Sequence, residues 1–277
     1  MNYIKEMQKA IDYIEINLDK DINFEKIAKE VGMSSFYFHR IFTAIIGVSP
    51  TAYIRNRRLT LAAQEISKND ENLLDIALKY GFESHESFSR AFKNFHGIVP
   101  KLAKSNGNEL KNFGKANIDF EINTNRLLSY RMENKDVIIM EAIFRRFNLD
   151  NKEEISKYWE AVKSDGTLKL ISDNYSKNVM GICIGTQGVF EYKYGIGREI
   201  EEKEKLENNI KMEIIKIPKS KWVVFKCEGQ DSKTINELWT RIYKEYFITT
   251  SYRQSMDMDF ELYDDKNTEI WIPISKK

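Results

Sequence analysis

The feature that most limits what this chain can fold into is a repeat in its first hundred residues. Shifted by 50 positions, Ser34, Phe38, Arg40, Phe42, Gly47 and Pro50 fall on Ser84, Phe88, Arg90, Phe92, Gly97 and Pro100. Just upstream the shift is 49, and Ile27, Ala28 and Gly32 fall on Ile76, Ala77 and Gly81. One extra residue therefore sits in the turn of the second copy. Two of the four prolines in the chain stand at equivalent ends of this repeat, which argues against chance agreement.

Each copy reads the same way. A short amphipathic helix carries Ile27, Ala28 and Val31, or Ile76, Ala77 and Tyr80. Gly32 or Gly81 then permits a tight turn with positive φ. Ser34 or Ser84 suits the N-cap of the next helix. That helix buries Phe38, Ile41 and Phe42, or Phe88, Ala91 and Phe92, at i, i+3, i+4 spacing. Helix, glycine turn and capped helix make a helix-turn-helix. Two of them, joined by a helical stretch over 51–66, make a seven-helix or similar all-α unit.

Such a unit is suited to DNA, because the capped helix fits a major groove. The first such helix would turn Ser35, Phe36, His39 and Arg40 to the bases, and the second His85, Glu86, Ser89 and Arg90. The arginines can form bidentate pairs with guanine, and Glu86 either accepts from a cytosine amino group or stays solvated. Arg55, Arg58 and Lys93 would anchor phosphates, which sets position more than sequence. His96, just before Gly97, reads as a helix C-terminal residue favoured by the dipole, not as a base reader. Two recognition helices about 34 Å apart would let one monomer read an asymmetric site.

Charge agrees locally, not globally. The 43 basic and 42 acidic side chains nearly cancel, so net charge carries no nucleic-acid signal. Yet 31–64 and 87–108 contain no acid, while Arg40, Arg55, Arg57, Arg58, Arg90, Lys93, Lys101 and Lys104 fall within them. The 277 residues suggest two domains. No apolar run reaches the roughly 18 residues of a membrane span, and the start lacks the pattern of a secretory signal. The chain reads as soluble and cytoplasmic. All three histidines precede residue 97, which excludes a Ser-His-Asp, Cys-His or His-ligated metal centre in the second half. Cys183 and Cys227 read as inert core thiols. No cofactor or metal is expected.

After a Lys- and Asn-rich stretch the periodicity changes. Strand-like runs occur at 126–132, 137–145, 178–184, 188–194, 210–217, 222–227, 259–263 and 269–274. Helical patterns cover 153–162 and 232–246 and share a triplet at an offset of 80: Ile155/Ile235, Trp159/Trp239 and Val162/Ile242. The second half thus reads as a duplicated strand-helix-strand-strand unit, an α+β domain with an antiparallel sheet. The boundaries expected are 1–106 for the helical domain, 107–118 for a linker and 119–277 for the α+β domain. The junction of two similar halves would form a cleft. Trp159, Tyr192, Tyr194, Trp222 and Trp239 are candidate aromatic walls, and Glu261 a candidate carboxylate; Glu191 and Glu228 are weaker ones. A carboxylate among aromatic walls favours a lipophilic cation.

Two resemblances sharpen these readings. Residues 7–104 resemble the DNA-binding domain of the AraC family, through Ile27-Ala28, Val31-Gly32-Met33-Ser34, 53–59 (YIRNRRL), 80–84 (YGFES) and 88–93 (FSRAFK). That resemblance implies transcriptional regulation, usually activation, with RNA polymerase as a partner. The chain departs from better-known members in having Phe36, His39 and His85-Glu86 where they carry Trp, Gln and Gln-Gln. The second half resembles the GyrI-like effector-binding domain, through 189–196 (VFEYKYGI), Trp222 to Phe225, Leu238-Trp239, 259–263 (DFELY) and 270–274 (IWIPI). In that family a Glu on a late strand faces the ligand, and Glu261 matches it. The competing reading is a GyrI-like hydrolase or sequestration module using Glu261.

Overall fold

A computed structural model describes the chain except residues 1–2, 69–71, 104–109, 119–127, 152, 174–178, 187–189, 202–211 and 265. Lys104, Gly107 and Asp265, and the first residues of the strand runs at 126, 178, 188 and 210, lie outside the described residues. Two compact units result. Ser34–Ile45 and Glu121–Lys277 form one; Asn2–Met33 and Ile46–Phe120 form the other. This division differs from simple boundaries at 106 and 118, because a segment of the first half is built into the α+β unit.

Among the described residues, seven helices occupy the first half: α1 (Tyr3–Ile16), α2 (Phe24–Glu30), α3 (Ser35–Ile46), α4 (Pro50–Lys68), α5 (Leu73–Lys79), α6 (His85–His96) and α7 (Pro100–Ala103). Their ends are set by local chemistry. Asn23 caps α2 through the Lys26 amide, and Asn72 caps α5 through the Leu74 amide. Ser84 and Ser87 form a reciprocal capping box at the start of α6, and Gly97 ends it at φ 87°. Gly32 and Gly81 take φ of 69° and 74° in the two equivalent turns, as the repeat requires.

The helical unit has a core in which α4 supplies Leu59, Ala62, Ala63 and Ile66 against Ile76, Ala77, Phe88 and Phe92. Glu15 on α1 accepts from Arg57 Nε and Nη2, both at 2.8 Å, and from the Tyr53 hydroxyl at 2.8 Å. The stretch expected as a linker is fixed where it is described. Arg57 Nη1 donates to the Phe113 carbonyl, the Phe113 amide to Thr60 Oγ1, and the Ala116 amide to the Tyr53 hydroxyl. Residues 110–116 are therefore a strap over α4, not free chain.

His96 is 4% exposed, and its Nε2 lies 3.2 Å from the Leu59 carbonyl. It does end α6, but burial holds its pKa below the ordinary 6.5, so the dipole does not keep it charged. The folded unit resists a proton that the unfolded chain accepts. Stability is then full above pH 6.5 and declines as pH falls below it. Urea midpoints at pH 7.5 and 5.5 should show this decline, and His96→Gln should flatten it; equal slopes for both chains would refute the assignment.

The α+β unit contains β1 (Tyr130–Lys135), β2 (Ile138–Asn148), α8 (Glu153–Ser164), α9 (Thr167–Asp173), β3 (Val179–Gly185) and β4 (Glu191–Glu199). It continues with β5 (Glu213–Ile217), β6 (Ser220–Cys227), α10 (Ser232–Arg241), β7 (Tyr252–Gln254), β8 (Met258–Tyr263) and β9 (Thr268–Lys276). A π-helical turn, Ile242–Tyr246, extends α10. β2-α8-β3-β4 and β6-α10-β8-β9 are the two copies expected from the offset of 80; α9, β7 and the π turn were not legible in the pattern.

The antiparallel strands run in the order β1-β6-β9-β8-β3-β4-β2-β5, with β7 on β9. β1 joins β2, and β5 joins β6, across only two residues each. Both links connect strands near opposite ends of that order, so the sheet must curl until its ends approach. Inside the curl lies a core of Met140, Met180, Ile182, Trp222, Val224, Phe260 and Trp271. The other face carries α8 and α10. No helix among the described residues is long and apolar enough to cross a membrane.

Candidate effector cleft and DNA-reading helices

The second recognition helix, α6, presents the face the repeat assigns to it. His85, Glu86, Arg90 and Lys93 are exposed and Ser89 is half-buried, while Phe88 and Phe92 are fully buried behind them. Glu86 sits in the first turn, where backbone N–H donation lowers its pKa, so it is a carboxylate. Arg55 on α4 is exposed as well. Arg58 is not available in the same way. Its guanidinium donates to the Leu18 carbonyl at 2.8 Å and the Lys20 carbonyl at 2.6 Å. A Cβ at Gly81 would lie 2.5 Å from Arg58 Nη1, so that glycine also makes room for it. Instead of facing phosphate, Arg58 ties α4 to the end of α1.

The first recognition helix, α3, differs from α6. Ser34 caps it through the Tyr37 amide, as expected, but its reading face is covered by the strands and helices of its own unit. Phe36 is 3% exposed and packs on Tyr192 at 6.4 Å. Gly185 admits that ring, since a Cβ there would be 2.9 Å from Phe36 Cγ. Tyr37 meets Tyr243 and Phe247 at 6.0 and 6.1 Å. His39 is 1% exposed, with Nε2 2.9 Å from Asp150 Oδ1 and its ring 4.9 Å from Phe190. Ser34 Oγ donates to Asp257 Oδ1 at 2.5 Å. Ser35 is half-buried.

Arg40 goes deepest. It forms an ion pair with Asp259, which is 2% exposed, and its guanidinium lies 4.2 Å above the Trp239 ring. Phe36 and Tyr243 flank it at 5.2 Å each. Burial opposes the Arg40 charge, and the adjacent Asp259 more than offsets that, so Arg40 stays protonated. The same burial pushes the Asp259 carboxyl up to about 6, with Arg40 pulling it back toward ionisation.

Beside this pair is a cavity of about 480 Å³. Glu261 projects into it. Glu261 Oε1 accepts from Trp239 Nε1 at 2.8 Å, and Oε2 accepts from the Tyr263 and Tyr194 hydroxyls at 2.6 and 3.2 Å. Trp159 Nε1 donates in turn to the Tyr194 hydroxyl at 3.0 Å. Burial, with the nearby Glu261 charge, raises both tyrosine pKa values, so they remain neutral donors. Among the described residues Glu261 has three donors and no ion pair. The arrangement offers a carboxylate held in place by neutral groups and ringed by aromatic faces.

The strand register explains why the site lies here. Gly181 on β3 pairs with Glu261 on β8. The two positions are 80 residues apart, which is the duplication offset, so the internal two-fold axis passes between them. One copy carries the carboxylate. The other carries glycine, where a Cβ would sit 2.2 Å from the Tyr194 hydroxyl. Duplication built the frame, and this asymmetry left one carboxylate and the space to hold it.

Of the candidate walls, Trp159, Tyr192, Tyr194 and Trp239 line the cavity. Trp222 does not. It is fully buried in the core inside the curl, 5.0 Å from Phe260. Glu191 and Glu228 are exposed and outside the cavity. Cys183 lines the cavity with its thiol pKa raised by burial, and that of Cys227 is raised in the same way. Asp259 and Tyr263 complete the site. Strand alternation through Glu261 would have found both, since residues two apart share a face.

These two constructions define a class: a DNA-binding regulator of helix-turn-helix type carrying a sheet-based effector-binding domain. Residues 131–274, just over half of the chain, match the family model described as integron-associated effector binding protein (Cass2). Residues 27–104 match a helix-turn-helix domain model. The chain belongs to the AraC-type transcriptional regulators with a Cass2/GyrI-like effector-binding domain.

Among curated relatives, the HTH-type transcriptional regulator YbfP of Bacillus subtilis is 44% identical over 100 residues, covering 36% of this chain and 34% of YbfP. The chain thus matches about a third of the length of YbfP. The HTH-type transcriptional activator AarP of Providencia stuartii is 39% identical over 96 residues, 35% of this chain and 71% of AarP. The solved structure of SAV2435 bound to tetraphenylphosphonium superposes with a TM-score of 0.48 at 18% identity, covering 53% of this chain and 94% of that one.

Proposed function

We propose that this regulator binds an aromatic monocation at Glu261 and couples that binding to sequence-specific DNA recognition by one chain, as an activator that contacts RNA polymerase. The observation that carries the effector class is Glu261, a carboxylate with three neutral donors in an aromatic-walled cavity. Such a site attracts a cation by charge and by ring quadrupole together. The activator reading has support from AarP, which is named an activator and shares the helical region. The base-reading set is Ser35, Phe36, His39 and Arg40 on α3 with His85, Glu86, Ser89 and Arg90 on α6. Arg55 and Lys93 are the phosphate contacts that this structure leaves open.

Two isosteric probes test the effector class. Tetraphenylarsonium and tetraphenylborate share shape and differ in the sign of charge. The cation should bind the full chain, and the anion should bind at least tenfold more weakly. Equal binding would reject the cation reading. Selection from random duplexes at about 150 mM salt, where non-specific phosphate binding is suppressed, tests the DNA reading. One asymmetric motif spanning two major grooves is expected; a palindrome would overturn the monomer.

On that motif, Arg90→Ala should weaken binding by about 1–3 kcal/mol and relax selection at one base step. Lys93→Ala should weaken all sequences alike and lower the salt slope by about one. If Arg90→Ala left selectivity unchanged, α6 would not be reading bases.

A further inference from the structure

At α3, the capping Ser34 and two of the three polar side chains that the repeat assigns to DNA meet an acid of the α+β unit. Ser34 meets Asp257, His39 meets Asp150 and Arg40 meets Asp259. With Phe36 and His39 at 3% and 1% exposure, this face cannot contact base edges while it is seated. Its equivalent in α6 is open.

The seat is also part of the effector cleft. Arg40 and His39 line the cavity, and Asp259 and Glu261 stand two residues apart on the same face of β8, roughly 7 Å along the strand. Trp239 serves both Arg40 and Glu261. Its ring lies under the Arg40 guanidinium, and its N–H donates to Glu261. Arg40 is thus a cation stacked on an aromatic ring against a buried carboxylate. That is the kind of recognition the cleft offers a ligand.

We infer that Arg40 is the cleft's internal ligand: the chain holds its first recognition helix away from DNA by seating it in the effector site, and an effector cation competes with Arg40 for Trp239 and the β8 carboxylates, releasing α3. This rests on the cation-site reading above. It assigns the regulation to a direct exchange of one cation for another. A distant conformational relay is not required. By linkage, operator DNA must then tighten effector binding by the same factor as effector tightens DNA binding.

The test uses the full chain, its selected duplex and tetraphenylarsonium as probe. Asp150 and Asp257 hold α3 and do not line the cavity, so Asp150→Asn with Asp257→Asn loosens the seat and leaves the Glu261 site intact. Without probe, the double variant should bind the duplex at least fivefold more tightly than the parent. It should also bind the probe more tightly and gain less DNA affinity from it. The parent should gain at least tenfold in DNA affinity at saturating probe, with faster hydrogen exchange across α3.

Should the double variant fold poorly, Asp150→Asn alone, whose side chain is 30% exposed, gives the same directions at smaller size. Unchanged DNA affinity in these variants overturns the inference. So does a probe that binds the parent and leaves both DNA affinity and α3 exchange unaltered; that result would keep the cation site and remove the latch. If the probe binds neither chain, the cation reading fails alone, and the DNA affinity of the variants still decides whether α3 is held.

Discussion

The Glu261→Gln chain is expected to bind tetraphenylarsonium about 10- to 100-fold more weakly than the parent, a loss of about 1.4–2.8 kcal/mol. The substitution is nearly isosteric. The amide oxygen can still accept from Trp239 Nε1, so the walls keep their positions. What is lost is the negative charge, in a site where Tyr194 and Tyr263 are neutral and largely buried. There a charge acts through a lower effective dielectric than in water and is worth more. Tetraphenylborate should gain affinity in the same variant, because its repulsion is removed. Calorimetric titration of both probes checks this; identical cation affinity in the two chains would show that Glu261 does not face the ligand.

Replacing Arg57 by Met should destabilise the helical unit by about 3–5 kcal/mol, the range for removing one partner of a buried ion pair. Arg57 and Glu15 side chains are 10% and 13% exposed, and the guanidinium spans Glu15 and the Phe113 carbonyl. Its loss leaves Glu15 with the Tyr53 hydroxyl as its remaining described partner and unpins the 110–116 strap. Neutralising both partners, with Glu15→Gln and Arg57→Met together, should cost less than Arg57→Met alone, since no orphaned charge remains. Denaturant unfolding of the four chains gives the cycle. A single-variant cost under 1 kcal/mol would mean that the pair is better solvated than its burial indicates.

The helical half was legible because its signals are local. Glycine turns, Ser84 as a cap and the i, i+3, i+4 spacing of Phe88 and Phe92 each act within a few residues, and each recurs. The α+β half was legible through its strand-like runs and its offset of 80, which together gave α8, α10 and most strands. What escaped depends on partners far along the chain. Nothing near Arg57 and Arg58 separates one arginine from the other or either from Arg55, yet Glu15 and the carbonyls after α1 claim two of the three. The polar composition of 110–116 reads as linker, while Phe113 pins it.

Trp222 shows the limit for strands. Alternation tells that Trp222 and Val224 share a face, but not which face is the cleft. That needs the register in which Glu261 pairs with Ile270 and Ile270 with Phe225, placing Trp222 on the opposite side. Likewise, the repeat treats α3 and α6 as equals. What distinguishes them lies far along the chain: Asp150, Asp257 and Asp259, each more than 100 residues away, claim His39, Ser34 and Arg40.

That inequality between the two helices bears on how regulators of this design diversify. On the proposed reading, the face of α6 that carries 85, 86, 89 and 90 serves DNA alone, so substitutions there would re-target the operator while the response to effector stays as it was. On the same reading, positions 36, 39 and 40 answer to two templates at once, a groove of DNA and a protein cleft, and a change there would rewrite both. New binding sites in a genome should therefore be acquired through the second half-site first, with the first half-site lagging behind as the slower-evolving word of the pair.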